Sequence, residues 1–346
     1  MLKRVIKVVS VILATILCLL GVQQLLMPKY VTKIQEGSMI EEYYKSEKNH
    51  DVLVIGNCQM YENVSPVTMW EEYGITSYVR GSADQYIWQS YYILEDALNH
   101  ETPEVVVMSV HSLTIPKSEA EESYNRMSID GLKWSMSKVN AINASMTEDE
   151  TFLSYIFPLA RYHSRWNELS LEDLKYYFSK PDVTTKGYLM RVGTRPVTTE
   201  PRVPVLANSE FDKDNVEYLQ KITDLCKGKG IELVLVKAPS VFPHWYDEYD
   251  AQVEAFAKKN GLLYINAIKN NDKIGIDYTT DTYDTGLHLN VQGAEKFSKY
   301  LGKILDERYD LEDHREDKDI AKDWDEVTKR YYEEKETKLK EWEESL

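Results

Sequence analysis

The longest apolar stretch comes first: Val8 to Leu26 carries no charge, and only Ser10, Thr15, Gln23 and Gln24 interrupt it with polar groups. A bilayer core is crossed by about 20 such residues, so the pattern predicts a membrane-spanning helix and an anchor over residues 1–27. Residues 28–50 are polar and predict a short connector. After them, short apolar runs alternate with stretches of helical period. Strands are predicted at 51–55 (DVLVI), 76–79, 104–110 (EVVVMSV), 232–237 (ELVLVK) and 262–266. Helices are predicted at 65–73, 84–100, 214–227, 246–260 and 291–305. In the second of these, Ile87, Tyr91, Leu94 and Leu98 share one face, and Ser65-Pro66 supplies an N-cap followed by proline at the first helical position.

This alternation predicts an α/β domain over 51–305 whose mostly parallel sheet is covered on both faces. Residues from about 113 to 207 break the rhythm with aromatics and prolines, and read as an inserted cap. The tail, 306–346, is dense in charge with scattered Trp and Tyr, and reads as a solvated helix or helix pair.

Charge and cysteine content narrow the picture. The 346 residues carry a formal net charge of -16, which excludes a surface built to neutralise nucleic-acid phosphates. Lys3, Arg4 and Lys7 precede the apolar run, so the positive-inside bias places the N-terminus in the cytoplasm and the body outside. Gln23-Gln24-Leu25-Leu26-Met27 lacks the small residues of a signal-peptide cleavage site, and Leu17 stands where a lipid-modified Cys18 needs a small residue. An uncleaved anchor is the better reading. The chain has three cysteines, Cys18 inside the span, so no disulfide framework and no zinc-type spacing can be built.

Reactive groups in an open α/β sheet collect beyond the carboxyl ends of its strands. Three features fall there: Gly56-Asn57-Cys58-Gln59 after the first strand, Gly81 after the second, and Asp284-Thr285-Gly286-Leu287-His288-Leu289-Asn290 before the last helix. A thiol with an imidazole available becomes a thiolate able to attack an acyl carbon. Against this stand plainer readings: a small buried cysteine, and a histidine that caps a helix. Cys226 follows Leu219 and Ile222 at helical spacing and reads as core. Asp277, Asp281 and Asp284 lack the alternating spacing and glycine of a calcium loop, so no metal is expected. His163, within Arg161-Tyr162-His163-Ser164-Arg165, is a candidate for a cap-side substrate site together with Arg161.

The segments VLVIGNCQMYENVSP (52–66), YGITSYVRG (73–81), LVLVKAP (233–239) and DTGLHLNVQGAEKFSKYL (284–301) resemble the SGNH/GDSL-type esterases and acyltransferases, specifically the membrane-anchored group of Gram-positive envelopes. The resemblance spans about residues 51–305. It implies a flavodoxin-like, three-layer α/β/α fold, with Cys58 at the nucleophile position that is usually serine, His288 as base and Asp284 as its partner. Gly81 matches the glycine whose N–H helps hold the oxyanion together with the N–H of Cys58; Ser109 and Gln59 are further oxyanion or substrate candidates. The sequence departs from the family in three places: cysteine replaces serine, three residues rather than two separate acid from base, and the asparagine expected after the third strand is not evident, with Ser109 and His111 nearby.

The activity so implied is hydrolysis or transfer of an acyl group, acetyl first among candidates, on an extracytoplasmic glycan, without a cofactor. The partners implied are the acylated glycan and a membrane-bound O-acyltransferase. The alternative is a glycan-binding or scaffold subunit that keeps the fold and has lost the chemistry.

Overall fold

The computed structural model describes residues 1–27, 36–180, 182–199, 202–206 and 208–346; part of the connector, 28–35, lies outside them. Helix α1 (Leu2–Leu26) is long and apolar enough to cross a membrane, and its apolar window is not covered by the rest of the chain.

Strand β1 (Val52–Gly56) is followed by a one-turn helix at Cys58–Tyr61 and then α2 (Pro66–Tyr73). The α2 N-cap works as the sequence implies, with Ser65 Oγ accepting from the Thr68 N–H at 3.3 Å. Strand β2 (Ser77–Gly81), α3 (Ile87–Ala97) and β3 (Val105–Ser109) come next. Within the predicted insertion lie α4 (Glu122–Ile129), α5 (Met136–Ser145) and α6 (Leu171–Phe178). Regular alternation resumes with α7 (Lys213–Lys229), β4 (Glu232–Lys237), α8 (Asp247–Asn260), β5 (Leu263–Asn266) and α9 (Val291–Tyr309). Helix α10 (Lys318–Glu343) closes the chain.

The five strands form one all-parallel sheet in the order β2-β1-β3-β4-β5. That order changes direction between β1 and β3, the switch point beside which doubly wound sheets open a crevice. Because strand side chains alternate faces, Val52, Val54, Val107 and Val234 pack into one core with α2 and α9. Leu53, Ile55, Val106 and Leu235 pack into the other with α3, α7 and α8. Each such side chain contributes roughly 1.5–3 kcal/mol by leaving water, which is why these strands read as unbroken apolar runs.

Two regions are more closely integrated than their composition suggests. The inserted segment packs on the core domain, where Ile129, Ala141 and Ile142 complete the second core. Its returning strand of chain covers the β2 edge, where the Val79 N–H donates to Lys186 O at 2.9 Å. The tail is not simply solvated. Trp324, Val327 and Tyr331 recur at spacings of three and four, so one face of α10 enters the first core, and Trp324 stacks on Trp70 with ring centroids 5.1 Å apart.

Candidate active site

Cys58 opens the one-turn helix that leaves β1, and the Asn57 side chain caps that helix by accepting from the Gln59 N–H at 3.2 Å. The ends of β1 and β2 approach here more closely than a side chain allows. Gly56 and Gly81 are register partners; a Cβ on Gly81 would come within 2.5 Å of Gly56 O, and one on Gly56 within 2.6 Å of the Ser109 Cβ. Glycine at both positions lets the turn carrying Cys58 lie against its neighbours.

His288 is brought to this turn from 230 positions away in sequence. The Leu289 N–H donates to Asn63 Oδ1 at 2.9 Å, so the residue after the histidine is tied to the segment after the cysteine. The loop before it is held by Thr282, whose Oγ1 donates to His288 O at 2.7 Å and accepts from the Gly286 N–H at 2.8 Å.

Asp284 Oδ2 lies 2.7 Å from His288 Nδ1, and its Oδ1 accepts from the His288 N–H at 2.8 Å. Between Asp284 and His288 the chain turns through Thr285 and Gly286, both left-handed at φ 65° and 92°. Glycine is needed at the second, since a Cβ there would also meet Val197 and Val241 at 2.9 Å.

The far ring nitrogen, His288 Nε2, is buried and makes no regular hydrogen bond. The Cys58 thiol is nonetheless close enough that each group shifts the titration of the other. Burial opposes charge on His288, but Asp284, Cys58 and Glu62 outweigh it and raise its pKa. Burial likewise pushes the Cys58 thiol up, with His288 pulling it back. A ring flanked by carboxylates on its Nδ1 side is a stronger proton acceptor on the other, which is what activation of a neighbouring thiol requires.

Sequence reasoning missed the second carboxylate. Glu62 stands 3.4 Å from His288 Nδ1, accepts from Tyr283 Oη at 2.6 Å, and pairs with Arg191 Nη2 at 2.8 Å. Tyr283 also stacks on the His288 ring at 6.1 Å between centroids. The available signal was local: Glu62 lies one helical turn beyond Cys58. Nothing in the sequence pointed to Arg191, which the insertion delivers.

Lys237 was missed as well, although a lysine ending the apolar run ELVLV is conspicuous. Its buried Nζ donates to Gln59 Oε1 at 2.9 Å, to Ala238 O at 2.9 Å and to Ser240 Oγ at 2.8 Å, with no carboxylate among these partners. Burial lowers its pKa to about 7, and Cys58 acts in the opposite direction. His111 is held neutral by burial, Lys237 and His288, at about 3.

The remaining candidates divide. Gln59 is in the cluster, with Nε2 buried and unpartnered like Asn57 Nδ2, Asn63 Nδ2 and His111 Nδ1. Ser109 packs on Gly56, and its Oγ accepts from the His111 N–H at 3.3 Å. Arg161 and His163 belong elsewhere: Arg161 pairs with Glu122 at 2.9 Å and His163 Nδ1 contacts Ala160 O at 3.1 Å, in a segment packed against α1. Asp281 pairs with Lys296 and Asp277 bonds Thr279, so the three aspartates weighed as metal ligands face separate partners. Cys226 is free and buried in the second core.

A cavity of about 510 Å³ is lined by Asp84, Tyr86, Glu119, Glu121 and Tyr124 among others. Burial, then Asp84, raises the Tyr124 pKa on the wall of this space. No known protein-family model matches the chain, and no curated protein sequence does.

Proposed function

We propose that the chain is an extracytoplasmic esterase or O-acyltransferase of the SGNH/GDSL type, with a three-layer flavodoxin-like α/β/α core and a Cys58–His288–Asp284 triad. The supporting observation is the convergence of Cys58 and the Asp284–His288 pair at the carboxyl end of the sheet, with the pair's free nitrogen turned to no other partner.

The chemistry is acyl transfer in two steps. His288 Nε2 takes the Cys58 proton as sulfur attacks the acyl carbon; a C–S bond forms, the ester C–O bond breaks, and the leaving oxygen takes the proton from His288. Water or a glycan hydroxyl then gives its proton to His288 while its oxygen attacks the thioester; the C–S bond breaks, and the departing sulfur takes that proton from His288 to restore the thiol. Asp284 fixes the ring tautomer and stabilises the imidazolium. Backbone N–H groups of Cys58 and Gly81, with Gln59 and Ser109 near them, are the candidate oxyanion donors.

The basic residues before α1 support a cytoplasmic N-terminus and an external domain. An external domain has no direct access to a cytoplasmic acyl donor, so transfer calls for a membrane-bound O-acyltransferase to deliver the group, whereas hydrolysis does not. One observation favours the alternative, a glycan-binding or scaffold subunit: burial raises the pKa of the Cys58 thiol more than His288 lowers it.

The deciding measurement is 4-nitrophenyl acetate turnover by the full chain, wild type against Cys58→Ala, with mass spectrometry of Cys58 after quenching. An acetylated Cys58 and loss of turnover in the variant are expected. Equal turnover with unmodified Cys58 leaves the scaffold reading standing and the enzyme reading overturned.

A further inference from the structure

Beyond residues 1–26, fifteen large apolar side chains are exposed among the described residues, and seven of them fall within residues 153–178. Single exposed apolar residues are ordinary on a soluble surface; nearly half of the total within 26 residues is not. In α6, Leu171, Leu174 and Phe178 recur at spacings of three and four, so they form one stripe, and they are 76%, 46% and 79% exposed. The opposite side of the helix is fixed inward by Tyr176 and by Asp173, which closes the Ser170 capping box. Trp166 is 71% exposed, and Leu153 and Ile156 are 63% and 52% exposed.

The same segment packs against the last turns of α1. Arg165 Nη1 donates to Leu26 O at 2.6 Å, and the Leu159 N–H donates to Gln23 Oε1 at 3.5 Å. A Cβ on Gly21 would lie 3.3 Å from Tyr177 Oη. Gly21 is five residues before Leu26, so α6 reaches about 8 Å back along the apolar span at the helical rise. Amphipathic helices lying in a membrane interface seat their apolar face roughly 5–10 Å deep. The two depths agree. Charge points the same way: residues 151–180 hold four Lys and Arg against three Asp and Glu, in a chain of net charge -16.

We propose that residues 151–180 form an interfacial platform that rests in the lipid headgroup layer, with Trp166 and the Leu171–Leu174–Phe178 stripe of α6 entering the acyl chains. The proposal rests on α1 spanning the bilayer and is independent of the chemistry at Cys58. The occupant is lipid because the exposed stripe continues from a helix whose own surroundings are lipid, at matching depth, and because Trp and Tyr favour that layer. The platform gives the domain a second attachment besides the anchor, and so fixes its height and tilt over the membrane.

The test uses the full chain in vesicles of phosphatidylcholine and phosphatidylglycerol, with and without acyl chains brominated near the headgroup. Subtracting the emission of Trp166→Phe from that of wild type isolates Trp166, and Trp134→Phe isolates an exposed tryptophan outside the platform. Trp166 emission is expected to fall about two-fold or more in brominated vesicles, while Trp134 is unaffected. A Trp166 signal untouched by bromine, in chains that float with the vesicles, overturns the platform and redirects the surface to a protein partner. Chains that do not float overturn the anchor itself, a different failure read in the same tubes.

Discussion

Both ends of β1 carry a histidine held by a carboxylate, and the two pairs do opposite things. At the amino end, His50 Nδ1 and Glu101 Oε2 lie 2.9 Å apart with both side chains buried. Glu101 there also accepts from the N–H groups of Asn49 and His50 and from Tyr43 Oη at 2.7 Å. Burial lowers the His50 pKa and favours the neutral ring, while the converging donors hold Glu101 low despite its burial. At the carboxyl end, His288 and Asp284 are as close, yet the His288 pKa is raised, Nε2 is left unpartnered, and a thiol stands within reach. A histidine–carboxylate pair is therefore no mark of a site. What separates the two ends is an unspent polar atom, on a ring whose titration a thiol influences.

The comparison breaks first on activity. His288→Ala is expected to lower acetyl-ester kcat/KM per folded molecule by about 1000-fold, or about 4 kcal/mol of transition-state stabilisation. Turnover that survives His288→Ala overturns the division of labour. Glu101→Gln should do the reverse. Cutting a buried hydrogen-bonded carboxylate from its partners costs about 3 kcal/mol of folding stability, read as a lower urea midpoint, while turnover per folded molecule is retained. The sign with pH follows from the depressed carboxylate: the Glu101 contribution is full above the ordinary Glu range and is lost as pH falls through its lower folded value. The Gln variant should therefore lose the acid-side part of that pH dependence.

Much of the frame was legible because sheet burial is written in the sequence. A strand covered on both faces must be apolar at every position, so DVLVI, EVVVMS and ELVLV announced three adjacent strands. The turn after β1 and the loop before α9 were legible because a parallel sheet brings the carboxyl ends together whatever lies between them. Glu62 and Arg191 were not, since their pairing closes across 129 positions through an irregular segment with no period to read. Lys237 was hidden differently: its partners Gln59 and Ser240 are neutral, so no complementary charge marked it. The docked face of α10 was missed for a correctable reason, because charge density was weighed over the spacing of Trp324, Val327 and Tyr331.

A finer test addresses the carboxylate that sequence reading overlooked. Burial, then Asp284, Cys58 and Glu62 set the His288 pKa, with the last three raising it. Glu62→Gln keeps the shape and the ability to accept from Tyr283 and Arg191 but removes one negative charge, so the ring should release its proton more easily. The limb of the kcat/KM–pH profile that reports His288 is expected to move to lower pH by about 0.5–1 unit, with the plateau reduced less than about 10-fold. An unmoved limb would assign the raised pKa to Asp284 and Cys58 alone.

The smallest effect is expected at the second histidine of the amino end. His314 Nε2 lies 2.9 Å from Asp51 Oδ1, and the Asp51 Oδ2 accepts from the Thr76 N–H and hydroxyl at 2.8 Å each. The pair ties the start of the tail to the start of β1, but His314 retains some exposure, where screening leaves such contacts worth little. Moreover, the Asp51 carboxylate keeps its Thr76 bonds when the histidine is removed, so no buried charge is stranded. His314→Gln should cost less than about 1 kcal/mol, visible as a slight shift in the urea midpoint, and leave the pH profile of turnover where it was. A change in that profile would mean that the two ends of β1 are coupled through the strand, and that the contrast between a structural pair and a reactive one is a matter of degree.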